Sequence, residues 1–222
     1  MSSCLLPLAR GCGAAVLGLT LLAAPAFPAP PADRAAALAG LRDPDAANRA
    51  DAIAWIANHG TMADADLLHD RLRDRNPVVR SYAETGLWAL WSRSGDPKVD
   101  AVMVRGVEEM NAGRLVEAVA SFSEAMRLKP QFAEAWNKRA TVYFLMRQYR
   151  KSIADCGEVL KRNPKHFGAL SGLGQIYLAL DDPEQALKWF RRALEVNPNM
   201  PTVEYNIKAL EEALKQRRGR MI

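Results

Sequence analysis

The sequence predicts an all-α fold, an α-α superhelical solenoid in which pairs of helices stack side by side. The first observation behind this is a fixed period of 34 residues: Gly106, Ala140 and Gly174 are one period apart, as are Ala118, Ser152 and Ala186, and Pro130, Pro164 and Pro198. Two more columns, Phe122, Cys156 and Phe190 and then Ala125, Val159 and Ala193, keep the same step. One two-helix unit cannot bury its apolar face alone, so repetition at this length implies stacking. The second is a weaker echo upstream, where Leu41-Arg42-Asp43 returns as Leu72-Arg73-Asp74, Arg49 as Arg80 and Ala52 as Ala83, each 31 residues on. The third is composition: 49% hydrophobic and 25% charged residues in a chain of 222, ordinary for a helical domain with a sizeable core.

In chain order, residues 1–26 read as a secretory signal. Arg10 is the positive start, Ala14 to Ala23 the apolar stretch, and Ala24-Pro25-Ala26 the small residues before a cut near Ala26 or Ala29. The apolar run is shorter than the ~20 residues a membrane span needs, although an uncleaved anchor is the alternative. Export, with the bacterial periplasm as destination, is the expected localisation. Cys4 and Cys12 would leave with this segment, so only Cys156 would remain and no internal disulfide is expected. Residues 27–32 are a Pro/Ala linker.

Residues 33–95 show apolar positions at helical spacing, among them Ile53, Ile56, Leu68 and Leu72, with breaks at Asp43-Pro44, Asn58-His59-Gly60 and Arg75-Asn76-Pro77. Four helices are predicted, at about 33–42, 45–58, 62–74 and 77–93. The string from Leu72 to Arg80 resembles a HEAT-like repeat, which implies that its Asp and Arg side chains bridge successive turns. Ser94-Gly95-Asp96-Pro97 is too short for a flexible linker, so the two regions should abut. The expectation is one continuous solenoid, with Trp88 and Trp91 packed against the first helix of the 34-residue array.

The array divides into units 99–132, 133–166 and 167–200. In the second, Trp136, Ala140, Tyr143, Ser152, Val159 and Pro164 fall at the spacing of a tetratricopeptide repeat; in the third, Leu170, Leu173, Gly174, Tyr177, Ala186, Phe190, Ala193 and Pro198 do so. These units resemble that family. The first departs from it, with Val102 and Glu109 where the others have Trp136 or Leu170 and a tyrosine. The small columns let paired helices approach closely, and the prolines stop each second helix. Cys156 stands where the other units have phenylalanine, leaving room for Phe144, Phe167 or Tyr149. Residues 201–217 form an amphipathic capping helix with Val203, Ile207, Leu210 and Leu214 on one stripe, followed by a basic tail, 218–222.

The resemblance implies a concave groove lined by first helices, presenting Met103, Val107 and Met110, then Asn137, Lys138, Thr141 and Phe144, then Ser171, Gln175 and Leu178. One subclass of the family clamps a peptide's terminal carboxylate. Its positions here hold Met103, Val107, Lys138, Gly168 and Gly172, of which only Lys138 could serve. The groove therefore implies an apolar or amphipathic protein or peptide partner, held by methionine and aromatic contacts. A formal net charge of +5 is dispersed, which argues against nucleic acid, and its local surplus at Lys215, Arg217, Arg218 and Arg220 would make at most a weak anionic contact.

Catalysis has little to build on. His59, His69 and His166 are dispersed, Asp64, Asp66 and Asp70 beside His69 read as a solvated helix start, and no phosphate loop, Gly-x-Ser-x-Gly elbow or Cys-x-x-Cys pair occurs. No cofactor, metal or catalytic residue is expected. The leading functional reading is an exported, non-catalytic interaction scaffold; a periplasmic chaperone-like or assembly factor for envelope proteins is the alternative, with an enzyme or metal protein behind both.

Overall fold

The computed structural model describes residues 30–219, with side chains to Arg217. The expected signal segment, most of the linker, and Arg218 and Arg220 as side chains lie outside the described residues. Eleven α-helices and one 3-10 turn, Met62–Asp64, make up the described chain, and no strand occurs within it. They are α1 (Arg34–Gly40), α2 (Ala46–His59), α3 (Ala65–Arg71), α4 (Pro77–Ser92), α5 (Pro97–Asn111), α6 (Leu115–Leu128), α7 (Ala133–Leu145), α8 (Tyr149–Arg162), α9 (Phe167–Ala179), α10 (Pro183–Val196) and α11 (Pro201–Gly219).

Many helix starts have a local cause. Asp33, Asp45, Asn76 and Asp96 accept a backbone N–H from the first turns of α1, α2, α4 and α5, and Pro77, Pro97 and Pro183 occupy first positions where no donor is needed. Inside the 34-residue array the pairs α5–α6, α7–α8 and α9–α10 turn by one backbone device. Gly113, Arg147 and Asp181, one period apart, all have positive φ, at 73°, 57° and 56°. The next N–H in each case, from Arg114, Gln148 and Asp182, returns to the carbonyl of Glu109, Tyr143 and Tyr177 at 2.9, 2.8 and 3.0 Å. This is the six-to-one bond of a Schellman stop. Side-chain identity hides this column, because only the backbone repeats.

The helices of a pair touch at the small columns. A Cβ on Gly106 would lie 2.6 Å from the Phe122 ring, and one on Gly174 would lie 2.4 Å from Phe190. Both phenylalanines are fully buried. Burial of such a ring is worth about 2 to 3 kcal/mol, more than the ~1 kcal/mol a glycine costs inside a helix, so the exchange favours the pair. In the middle pair both partners change together: Ala140 faces Cys156, and the Ser152 hydroxyl donates to the Ala140 carbonyl at 2.7 Å.

The N-terminal arm, α1–α4, is stitched by arginines. The Arg49 guanidinium is buried, pairs through Nε and Nη2 with both oxygens of Asp74 at 2.8 Å, and donates Nη1 to the carbonyls of Asp43 and Pro44. Arg80 repeats the gesture one unit on, giving Nη1 to the Asp74 carbonyl, but its Nε finds Asn199 Oδ1, 2.8 Å away in the turn between α10 and α11. Asn199 Nδ2 in turn donates to the Leu72 carbonyl at 2.7 Å.

The arm therefore does not extend the array from its first helix. It lies along the edge formed by the inter-unit turns: Lys129 donates to the Ser94 carbonyl, Lys165 pairs with Asp66 at 2.7 Å, and Arg73 donates to the carbonyls of Glu195 and Val196. Trp88 and Trp91 are junction core, but against His166 and Phe167 at the start of α9, with ring centroids 4.2 to 5.5 Å apart, and not against α5. The reason is the link: Gly95 at φ 75° reverses the chain, and Asp100 takes the Ser94 N–H, so α5 leaves away from α4.

His69 is 6% exposed at this junction, its ring 6.0 Å from Trp91. Burial, reinforced by the nearby charges of Lys165 and Arg73 against those of Asp66 and Asp70, pushes it from 6.5 down to about 4. A depressed folded value means the neutral ring is the stabilising form. Its contribution is fully present above pH 6.5 and is lost as pH falls towards 4, reaching ~3 kcal/mol.

Urea midpoints taken between pH 7 and pH 4 should therefore fall for the wild-type chain and fall less for His69→Gln. Equal slopes would remove His69 from the account. Urea titrations at neutral pH should also show Arg147→Gly stabilising the chain by up to ~1 kcal/mol, and Gly113→Ala destabilising it by about the same amount.

Candidate functional site

The concave side of the array is built by α5, α7 and α9, and it is unevenly open. Met103 is buried in the cluster that holds Phe122, Ala135 and Val142, and Val107 and Met110 are half-buried against the same cluster. Of the expected stripe on α5, Met103 is thus closed off by its neighbours, while Val107 and Met110 keep part of their surface open. Lys138, the one clamp position with a charge, is tied to Glu134 Oε1 at 3.3 Å.

What remains open lies between α7 and α9. A cavity of about 150 Å³ brings together Asn137, Thr141, Phe144 and Gln175 from the expected groove, and its floor is Ala140, Ser152 and Cys156. Ser171 and Leu178 stay on α9 outside this lining; the Ser171 hydroxyl donates to the Gly168 carbonyl at 3.1 Å, and Leu178 is 41% exposed. Asn137 is buried and donates Nδ2 to Glu134 Oε2 at 3.1 Å, while Thr141 donates its hydroxyl to the Asn137 carbonyl.

The cavity follows from the exception in the phenylalanine column. Phe122 and Phe190 fill the corresponding space in their own pairs, but Cys156 is too small to do so. Phe144 and Tyr149 pack nearby, 5.8 Å apart, whereas Phe167 turns away to the arm and the tryptophans. Gly172 completes the opening: a Cβ there would meet nothing nearer than the Cys156 sulfur at 4.0 Å. At Gly168 a Cβ would strike the Trp88 ring at 2.4 Å, so the arm seals one end of the groove. Sequence reading missed the role of Gly168, Gly172 and Cys156. The available signal was the Cys-for-Phe swap beside two glycines four residues apart on one helix face.

Burial, with Asp155 alongside, pushes the Cys156 thiol up to about 12, so it is an inert wall and not a nucleophile. Glu134 is 1% exposed. Burial alone would raise its carboxyl, but the hydrogen bond from His166 Nε2, 3.1 Å away, together with the charge of Lys138, holds it below the ordinary value. The histidines are apart: His59 stacks on Trp55, His166 caps α9 by accepting the Ala169 N–H, and among the described residues no group of three or more His, Cys, Asp or Glu could hold a metal ion. At the C-terminus Arg217 reaches Asp181 at 3.4 Å and Lys215 is exposed.

The comparisons with known proteins fit this geometry. The family model described as Tetratricopeptide repeat matches residues 133–166 and 168–200. A TPR repeat-containing protein of Rhizobium etli is 34% identical over 142 residues, which is 64% of this chain and 70% of that protein. A small glutamine-rich tetratricopeptide repeat-containing protein of Dictyostelium discoideum is 29% identical over 52% of this chain, which spans only 35% of that relative. Among solved structures, the first TPR of Spaghetti (RPAP3) bound to an HSP90 peptide superposes with a TM-score of 0.51 at 24% identity, covering 53% of this chain and 94% of that one. Two matched units, a relative of this similarity over most of its length and a shared helical fold together place this chain in the tetratricopeptide repeat family.

Proposed function

We propose that this chain is a non-catalytic interaction scaffold that holds an extended segment of a partner protein in its concave groove and seats one large apolar side chain of that segment over Cys156. The observation that carries the reading is the cavity between α7 and α9, floored by the cysteine that stands where the other two pairs have a phenylalanine ring. Its walls suit such a segment. Asn137, Thr141 and Gln175 offer amide and hydroxyl groups for a peptide backbone, while Phe144, Cys156 and Ile176 supply apolar contact. The bound HSP90 peptide of the Spaghetti structure shows what a related fold can hold. Here Met103, Val107, Lys138, Gly168 and Gly172 stand at the clamp positions, and the one cation, Lys138, is paired with Glu134, so we assign this groove to an apolar anchor and not to a charged terminus. The burial of Met103 also reduces the methionine surface that would favour a chaperone with many clients to the half-buried Met110.

Export is a separate part of the proposal and rests on Arg10, the Ala14–Ala23 run and Ala24-Pro25-Ala26.

Peptides selected from a random library on the wild-type chain should share one large apolar residue and bind in the groove. The double variant Ala140→Gly with Cys156→Phe restores the pairing of the other two units. It should melt within a few degrees of wild type yet bind those peptides about tenfold or more weakly by fluorescence anisotropy. Unchanged affinity in that folded variant would remove the cavity from the site. For export, fractionation of the native host followed by N-terminal sequencing should give a periplasmic chain starting at Phe27 or Pro30; an intact chain in the cytosol would overturn it.

A further inference from the structure

A larger cavity than the one in the groove lies elsewhere. It measures about 500 Å³ and lies where the arm meets the array, between residues 60–62 and 90–95 on one side and residues 129–134 and 162–166 on the other. It shares no lining residue with the groove cavity.

Its charges do not balance. Arg93, Lys129 and Arg162 line it against a single carboxylate, Glu134. That carboxylate is already engaged by His166, Asn137 and Lys138. Arg162 has Glu158 as a partner at 2.7 Å. Arg93 donates only to the carbonyls of Ala57 and Asn58, and Lys129 only to that of Ser94, so these two cations face the cavity with no described carboxylate beside them. The buried donors are in excess as well: Trp91 Nε1 and Asn163 Nδ2, in residues 3% and 7% exposed, have no acceptor, against one buried acceptor in the same lining, Glu134 Oε1, whose partner is the Lys138 ammonium at 3.3 Å. Buried polar groups without a partner are costly, so donors in excess of acceptors mark a place suited to a group that only accepts. The remaining lining is apolar, from Leu90, Phe132 and Met62.

We propose that this junction cavity binds a small amphipathic carboxylate, its anionic head between Arg93 and Lys129 and its apolar body against Phe132 and Leu90. A single negative charge fits better than a phosphate dianion, because Glu134 on the same wall repels added charge. Arg93 belongs to the arm and Lys129 to the array, so the bound anion fastens the arm along the inter-unit turns. Ligand binding and arm docking are thereby linked.

The test is calorimetric titration of the full chain with 3-phenylpropanoate and with its neutral counterpart, 3-phenylpropan-1-ol. The acid should bind with Kd below about 1 mM and the alcohol about tenfold more weakly; raising the salt should weaken only the acid. Lys129→Met and Arg93→Met should each lower acid affinity about fivefold or more with unchanged far-ultraviolet dichroism, while Phe144→Ala in the groove should leave it alone. N-acetyl-Ala-Ala-Phe with a free terminus separates the sources of the carboxylate: tighter binding than the free acid assigns the site to a chain end, weaker binding to a small acid, and either supports the proposal. No heat with either probe up to about 10 mM, or equal affinity for acid and alcohol, would overturn it without reliance on any variant.

Discussion

The distance between the two helices of a pair governs the rest of the structure. At Gly106 and Gly174 there is no room for even a methyl group beneath the facing phenylalanine ring. That approach fixes where α6 and α10 lie against α5 and α9, and through the Schellman stop at Gly113 and Asp181 it fixes the angle at which the chain reverses. The middle pair uses a different solution to the same constraint. Ala140 adds the methyl that glycine lacks, and Cys156 gives up the ring, so volume moves from core to groove. The opening is a by-product of that exchange.

The second organising contact is polar. Arg49 and Arg80 are equivalent by the 31-residue echo, yet one closes on a carboxylate within the arm and the other on an amide 119 residues away. The Arg49–Asp74 pair is buried on both sides, where breaking one partner costs far more than an exposed pair contributes. Asn199 takes the place of a further aspartate and serves both strands of the joint, accepting from Arg80 and donating to Leu72. The arm thus ends its own ladder on the array's last turn, while Trp88 and Trp91 fill the gap above α9. One consequence reaches the groove directly, since the ring that completes the joint also covers Gly168.

How much of this was legible depended on which atoms carry the information. The columns Gly106/Ala140/Gly174 and Phe122/Cys156/Phe190 are side-chain constraints and stand in the sequence. The four upstream helices, expected at about 33–42, 45–58, 62–74 and 77–93, occur at Arg34–Gly40, Ala46–His59, Ala65–Arg71 and Pro77–Ser92, because Asp45, Asn76 and the prolines mark their starts. The turn column Gly113, Arg147 and Asp181 was invisible, since a left-handed residue can be any of the three when the flanking hydrogen bonds compensate. The docking of the arm was equally hidden: nothing in the sequence relates Arg80 to Asn199 or Asp66 to Lys165. Met103 was misplaced for a subtler reason. Its position faces the groove in a unit flanked on both sides, but α5 opens the array and packs its inward face into the core.

These constraints divide the molecule's two openings by chemistry. The groove cavity is a packing deficit, walled by a thiol that burial keeps protonated and by neutral amides, so it discriminates by shape and volume. The junction cavity is a charge surplus, since two of its three cations, Arg93 and Lys129, have only backbone carbonyls as partners, so it discriminates by sign. Trp88 and Trp91 stand between them, one on Gly168 and the other stacked on His166, which holds Glu134. A displacement of α4 large enough to uncover Gly168 would also carry Trp91 from His166, and so alter the wall that holds Glu134. Both openings therefore border the same helix, α4, one through Trp88 and the other through Trp91.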